Sequence, residues 1–172
     1  KVMDVGEGVF YENGNFVLEA IPLDHSVPCL AYAFIEKDKR KINLAYLKKY
    51  GLKKHPVLKQ LQNGEDIEWQ GKKIKAEKAT LLKKGRKFVY IADTVFCENA
   101  IKIAEDADVL VSESTLEGGM EEKAGKIGHM TCCQAAEIAK KANAKRLVLT
   151  HFSQRYKSVS ELKKQAKKIY YK

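Results

Sequence analysis

The sequence predicts an α/β fold whose second half is a mostly parallel sheet with helical crossovers. Three observations carry this. Short apolar, β-rich runs recur at Phe88-Val89-Tyr90-Ile91, Val109-Leu110-Val111 and Arg146-Leu147-Val148-Leu149. Helical patterns separate and follow them at residues 98–105, 131–142 and 160–170. The resulting βαβαβα order implies parallel strands joined by helices.

Taken in order, the chain opens on an antiparallel part. Gly8-Val9-Phe10-Tyr11, a turn at Asn13-Gly14 and an apolar stretch over 16–21 predict a hairpin, followed by a further strand over 30–35. A strongly basic segment comes next. Residues 37–87 hold 17 Lys or Arg against 5 Asp or Glu, whereas the rest of the chain holds 15 against 17. One stretch therefore carries the whole formal charge of +10, which favours a dedicated phosphate-binding element over an evenly solvated basic surface. Two short helices (43–50 and 56–61), a turn at Asn63-Gly64 and a hairpin across Trp69-Gln70-Gly71-Lys72 are expected within it. With few core-forming residues it reads as an arm projecting from the domain and needing support from a partner. The three later apolar runs read as buried strands. Two of the later helices have capping-box patterns, Thr131 with Gln134 and Ser158 with Glu161.

Length and composition narrow the classes. At 172 residues the chain is one domain, or a two-layer fragment of a larger one. It begins with Lys1 and shows no signal-peptide pattern, so an upstream segment on a longer or separate chain is expected. No apolar run approaches the roughly 20 residues of a membrane span. The four cysteines, Cys29, Cys97, Cys132 and Cys133, lack CxxC spacing and a disulfide framework, which points to the cytoplasm.

Functional groups in parallel α/β sheets collect beyond the carboxyl ends of strands. Here those ends bear His25, Asp93, Glu113 and His151, two imidazoles and two carboxylates along one sheet edge. Imidazole nitrogen and carboxylate oxygen are suitable zinc ligands, and an aspartate can bridge two ions in a site for phosphodiester displacement. The bland alternative is a set of structural histidines and a capping Asp-Thr pair. His129, just ahead of a helix, could protonate a leaving alkoxide if Glu113 held it; an exposed loop histidine is the competing reading. Ser153 and Arg155 could offer a hydroxyl and a guanidinium fork to a phosphate, or simply form a surface turn.

In their order these segments resemble the ribonuclease Z family of the metallo-β-lactamase superfamily, from the strand before His25 nearly to the end of the chain. Leu23-Asp24-His25-Ser26-Val27-Pro28-Cys29-Leu30-Ala31-Tyr32 looks like the family's His-bearing motif, with Ala31 where glycine is usual. Tyr90-Ile91-Ala92-Asp93-Thr94 is similar to its Gly-Asp-Thr motif, and Leu149-Thr150-His151-Phe152-Ser153-Gln154-Arg155-Tyr156 resembles its last motif. Ser112-Glu113-Ser114-Thr115 stands where the family has His-Glu-Ala-Thr, and His129-Met130-Thr131 where it has His-Ser-Thr.

The resemblance implies the C-terminal half of an αββα sandwich with a protruding, flexible basic arm over 37–87. It implies two zinc ions, with His25, Asp93 and His151 as ligands, Glu113 and His129 as catalytic partners, and Ser153 and Arg155 on substrate phosphate. The arm would grip precursor tRNA through Arg40, Lys53, Lys54 and Pro56, the last in His55-Pro56 where the family has Gly-Pro. Cleavage would remove the 3′ trailer and leave a tRNA 3′-hydroxyl, and family members are often homodimers. The family's His-x-His-x-Asp-His motif is nowhere in residues 1–172 and would lie upstream; without it the chain is expected to be inactive. Two other readings stay open: a small-molecule phosphodiesterase or other metallo-hydrolase of the same superfamily, and a non-catalytic tRNA-binding module.

Overall fold

The structure, a computed structural model, describes residues 4–171. Along the chain, strands β1 (Gly8–Glu12), β2 (Phe16–Leu23), β3 (Cys29–Glu36) and β4 (Lys39–Ile42) precede helices α1 (Leu44–Lys48) and α2 (Leu58–Gln62). Then come β5 (Ile67–Trp69), β6 (Lys72–Ile74), α3 (Ala76–Ala79), β7 (Thr80–Lys83) and β8 (Lys87–Ile91). The last elements are α4 (Glu98–Ala104), β9 (Val109–Glu113), α5 (Glu121–Lys126), α6 (Cys132–Lys141), β10 (Leu147–Thr150) and α7 (Ser160–Ile169). They form two compact units, one made of the residues up to Glu36 together with those from Arg86 onward, the other of Lys37–Gly85.

The larger unit is built on a six-stranded sheet of order β1-β2-β3-β8-β9-β10. It is antiparallel as far as β8 and parallel across β8, β9 and β10. Ala33, Val89, Ile91 and Leu110 project from one face into a core shared with Ile103, Ala136, Ile138 and Leu162 of the helices. The intervening residues Tyr32, Phe88, Tyr90 and Val148 are exposed on the other face. This corrects the expectation of fully buried strands. A continuous apolar run suits a strand covered on both faces, and only one face carries a helical layer among the described residues.

Helix α6 begins as its sequence implies. Thr131 Oγ1 accepts from the Gln134 N–H at 3.2 Å, and Gln134 Oε1 accepts from the Thr131 N–H at 2.9 Å. The second expected box does not form. Val159 occupies the N-cap position of α7, and Ser158 Oγ instead accepts from the Ser160 N–H at 3.3 Å, so Glu161 falls in the first turn without a reciprocal partner. Helix α5 was not anticipated, because Glu121-Glu122-Lys123-Ala124-Gly125-Lys126 buries only Ala124 and has no apolar period.

Asp108 staples the start of β8 to the loop before β9. Its carboxylate accepts from Lys145 Nζ at 2.7 Å and from the Lys87 N–H at 2.8 Å, and these bonds, the lysine's first, hold its pKa below the ordinary carboxylate value. A depressed folded pKa means stability that is present above the unfolded value of about 3.9 and is lost as pH falls through the folded value. Asp108→Asn should therefore cost about 1 kcal/mol at pH 7 in urea unfolding, discounted for solvent screening, and the difference from the parent chain should vanish in acid.

The smaller unit departs from the expected core-poor arm. Leu47, Leu52, Leu61, Ile67, Ile74, Ala76 and Ala79 form their own buried cluster. Asn43 caps α1 by accepting from the Tyr46 N–H at 3.0 Å. The β5–β6 hairpin turns at Gln70 and Gly71, both with positive φ (50° and 70°), as a tight two-residue turn requires. The β4–β7 pair escaped sequence reading because Lys39-Arg40-Lys41-Ile42 shows no apolar alternation. No helix among the described residues is long and apolar enough to cross a membrane.

Candidate metal centre

The larger unit brings five of the expected residues together at the carboxyl ends of its strands. Glu113, the last residue of β9, is completely buried and organises the rest. Its Oε1 accepts from the Thr94 N–H at 2.9 Å and from His129 Nδ1 at 3.0 Å. Its Oε2 accepts from the Thr115 N–H at 3.2 Å, the Thr115 hydroxyl at 2.8 Å and the Met130 N–H at 3.1 Å. A buried carboxylate is tolerable only with its lone pairs satisfied, and five donors do so.

Thr115 passes this influence on. Its hydroxyl lies 2.8 Å from Glu113 Oε2, 3.1 Å from the His151 carbonyl and 2.9 Å from His151 Nδ1; with its proton directed to the carboxylate, the strongest of these acceptors, the oxygen accepts from His151 Nδ1–H. His151 Nε2 then points outward, 3.4 Å from Asp93 Oδ1. His129 donates from Nδ1 to Glu113, and His25 donates from Nδ1 to the Gly128 carbonyl at 2.8 Å. All three rings are thus held by an inner Nδ1–H, which leaves Nε2 available for an external partner. This is the arrangement that fixes tautomer and orientation in histidine metal ligands.

One donor atom each of Asp93, His129 and His151 lies within 4.8 Å of the others. Two imidazole nitrogens and a carboxylate oxygen make a suitable donor set for a divalent ion, so these residues can hold a metal. The resemblance of the sequence implies His25, Asp93 and His151 as ligands, with His129 for proton transfer. The geometry gathers His129 with Asp93 and His151, and places the His25 ring 5.5 Å from that of His129. The rings of His129 and His151 are 5.1 Å apart.

Local backbone supports the cluster. His151 has φ +54°, a left-handed conformation uncommon for a non-glycine residue and frequent where a functional side chain must be aimed. Thr94 ties the His25 loop to the Asp93 loop: its hydroxyl is 3.2 Å from the Asp24 N–H, and the Val95 N–H donates to the Asp24 carbonyl at 2.9 Å. Gly128 combines φ +78° with a position where an added Cβ would come within 2.5 Å of His25 Nδ1. Gly128→Ala should push His25 out of place and cost about 1–3 kcal/mol in urea unfolding, more than glycine-to-alanine at an open surface turn such as Gly14.

Thr115, Thr94 and Gly128 were not singled out from sequence. Their only signals were adjacency: Thr94 next to Asp93, Gly128 next to His129, Thr115 two positions after Glu113. Cys29 also lies close enough to feel the site, its thiol pKa raised by burial first and then by the Asp93 charge. Ser153 and Arg155 do meet, Arg155 Nε donating to Ser153 Oγ at 3.1 Å, while the Ser153 N–H donates to the Thr115 carbonyl at 3.0 Å. Lys53, Lys54 and Pro56 are exposed in the smaller unit. Arg40 is half-buried there and donates to Thr80 Oγ1 at 3.2 Å.

A family profile described as a beta-lactamase superfamily domain matches residues 58–152, more than half of the chain, and the protein belongs to that superfamily. Within it, the chain is 38% identical over 169 residues to a ribonuclease Z of Bacillus mycoides, covering 95% of this chain and 55% of that one. It is also 38% identical over 171 residues to a ribonuclease Z of Methanothermobacter thermautotrophicus, covering 99% and 56%. The chain thus spans about half the length of these curated relatives. Among solved structures, human tRNase Z, short form, matches at a TM-score of 0.54 and 27% identity, over 86% of this chain and 39% of that one. The metallo-beta-lactamase fold protein YhfI of Bacillus subtilis matches at 0.59 and 22%, over 94% and 46%, a likeness of fold alone.

Proposed function

We propose that this chain supplies the C-terminal half of a cytoplasmic, zinc-dependent endonuclease that hydrolyses a phosphodiester of precursor tRNA, removing the 3′ trailer and leaving a 3′-hydroxyl. The observation that carries the reading is the convergence of Asp93, His129 and His151 around buried Glu113, in a chain 38% identical to proteins named ribonuclease Z. In this reading His25, Asp93 and His151 hold zinc, two ions in the complete site. Zinc, when bound, supplies Lewis-acid stabilisation of a phosphodiester oxygen and lowers the pKa of a coordinated water.

The chain's own residues do the rest. Glu113 accepts from His129 Nδ1–H and so aims Nε2 outward; from the doubly protonated ring, Nε2–H gives its proton to the departing 3′-oxygen and the ring is left neutral with Nδ1–H still on Glu113, a transfer worth typically 10²–10⁴-fold. Ser153 and the Arg155 guanidinium, already in contact with one another, orient a phosphate. Lys53, Lys54 and Arg40 of the smaller unit grip tRNA phosphates, with Pro56 shaping their loop, and binding by the arm should weaken steeply with salt. The working state is a homodimer.

The remaining ligands belong to a further half of the protein carrying a His-x-His-x-Asp-His segment, whether on a longer chain or a separate one. That half would also lay a second sheet on the exposed face of Tyr32, Phe88, Tyr90 and Val148, completing the αββα sandwich. The test is zinc content and precursor-tRNA cleavage measured with and without that half supplied. This chain alone should not cleave; full activity from the chain by itself would refute the division of the site.

A further inference from the structure

The two edges of the six-stranded sheet are guarded differently. At one edge, β1 is interrupted by a bulge between Val9 and Tyr11, ends on Glu12 and is preceded by Glu7, all devices that discourage strand addition. At the other edge, β10 is Leu147-Val148-Leu149-Thr150 and, among the described residues, pairs with β9 alone. Leu147–Thr150 carries no proline or bulge, and the charges that flank it, Lys145 and Arg146, are both positive. An apolar edge guarded only by positive charge is a template for a strand that brings negative charge.

A groove of about 320 Å³ runs beside this edge. Leu147 and Leu149, on the helix-facing side of β10, form one wall. Lys163, Ala166, Lys167 and Tyr170, at i, i+3, i+4 and i+7 of the α7 stretch, form the other. Arg146, Lys163 and Lys167 stand exposed on its rim, and among the described residues none has a carboxylate within ion-pair distance. Apolar walls ask for aliphatic side chains, and the cationic rim asks for carboxylates beside them.

We propose that the β10 edge and the β10–α7 groove form a docking site for an extended, acidic strand of a separate protein. The strand pairs by backbone hydrogen bonds with Leu147–Thr150. Every second side chain enters the groove, and flanking Glu or Asp meet Lys163, Lys167 and Arg146. The site lies outside the cluster around Glu113 and does not depend on what that cluster catalyses.

The probe is a short synthetic peptide with valine at alternate positions of its centre and glutamate at the flanking positions of the same face, so that both point into the groove, titrated into the ¹⁵N-labelled chain. Expected are slowed amide exchange and shift changes confined to Leu147–Thr150 and α7. Affinity should fall about tenfold or more when lysine replaces glutamate in the peptide, or in the exposed double variant Lys163→Glu/Lys167→Glu. An N-methylated peptide, which cannot pair, should not bind. Equal binding of the lysine or N-methylated peptide, no binding of the glutamate peptide, or shifts on the Tyr32–Phe88 face would overturn the proposal. So would loss of binding once the proposed N-terminal half is joined, since that half would then own the edge.

Discussion

Glu113→Gln is expected to destabilise the larger unit by about 3–5 kcal/mol, although the side chains are isosteric. Oε1 accepts from two donors and Oε2 from three, so an amide nitrogen at either position would face N–H or O–H groups it cannot accept. Rotating the amide only changes which donors are orphaned. Equilibrium urea unfolding measures the loss, and a change under 1 kcal/mol would show that Glu113 is not the centre of the network. A milder companion isolates one branch. Thr115→Val keeps the shape but removes the hydroxyl between His151 and Glu113, so ¹⁵N spectra should report loss of the single Nδ1–H tautomer at His151, while Thr115→Ser restores it.

Replacing Asp93 and His129 separately by alanine in the complete protein should produce opposite patterns. Asp93 faces His151 Nε2 at 3.4 Å and has no bond to Glu113, so Asp93→Ala should lower metal affinity by about 100-fold or more and abolish cleavage. His129, held by Glu113, should keep the metal when replaced yet lose about 10²–10⁴ in turnover. Metal analysis after gel filtration, paired with single-turnover cleavage, separates the two. If His129→Ala loses metal as fully as Asp93→Ala, then His129 is a ligand, as its grouping with Asp93 and His151 allows, and the proton donor must be sought elsewhere.

Much of this arrangement is legible in the sequence. The runs at β8, β9 and β10 announced themselves through apolar, β-rich composition, and their terminal residues Asp93, Glu113 and His151 could be placed at one sheet edge by the logic of parallel strands. The cap at Thr131 was readable because both partners lie within four residues. The cap at Ser158 was misread for an instructive reason: the motif permits a box, but the backbone at Val159 starts the helix one residue later. The core of the smaller unit was missed because its aliphatic residues are scattered among lysines, and each is buried by pairing across the segment rather than by local periodicity.

The sequence by itself determined the main strands and helices of the larger unit and the chemical groups that end them, because helix and strand periodicity, capping and charge runs are short-range properties of the chain. It also determined that a single segment carries the positive charge. Only the tertiary structure decided which atoms those groups use. Glu113 collects donors from Thr94, Thr115, His129 and Met130, and His25 finds the Gly128 carbonyl 103 residues away. No local pattern encodes such pairings. They follow from strands set side by side, and from the high cost of burying a carboxylate or an N–H without a partner, which commits the inner nitrogens of His25, His129 and His151 and turns the outer ones toward the site.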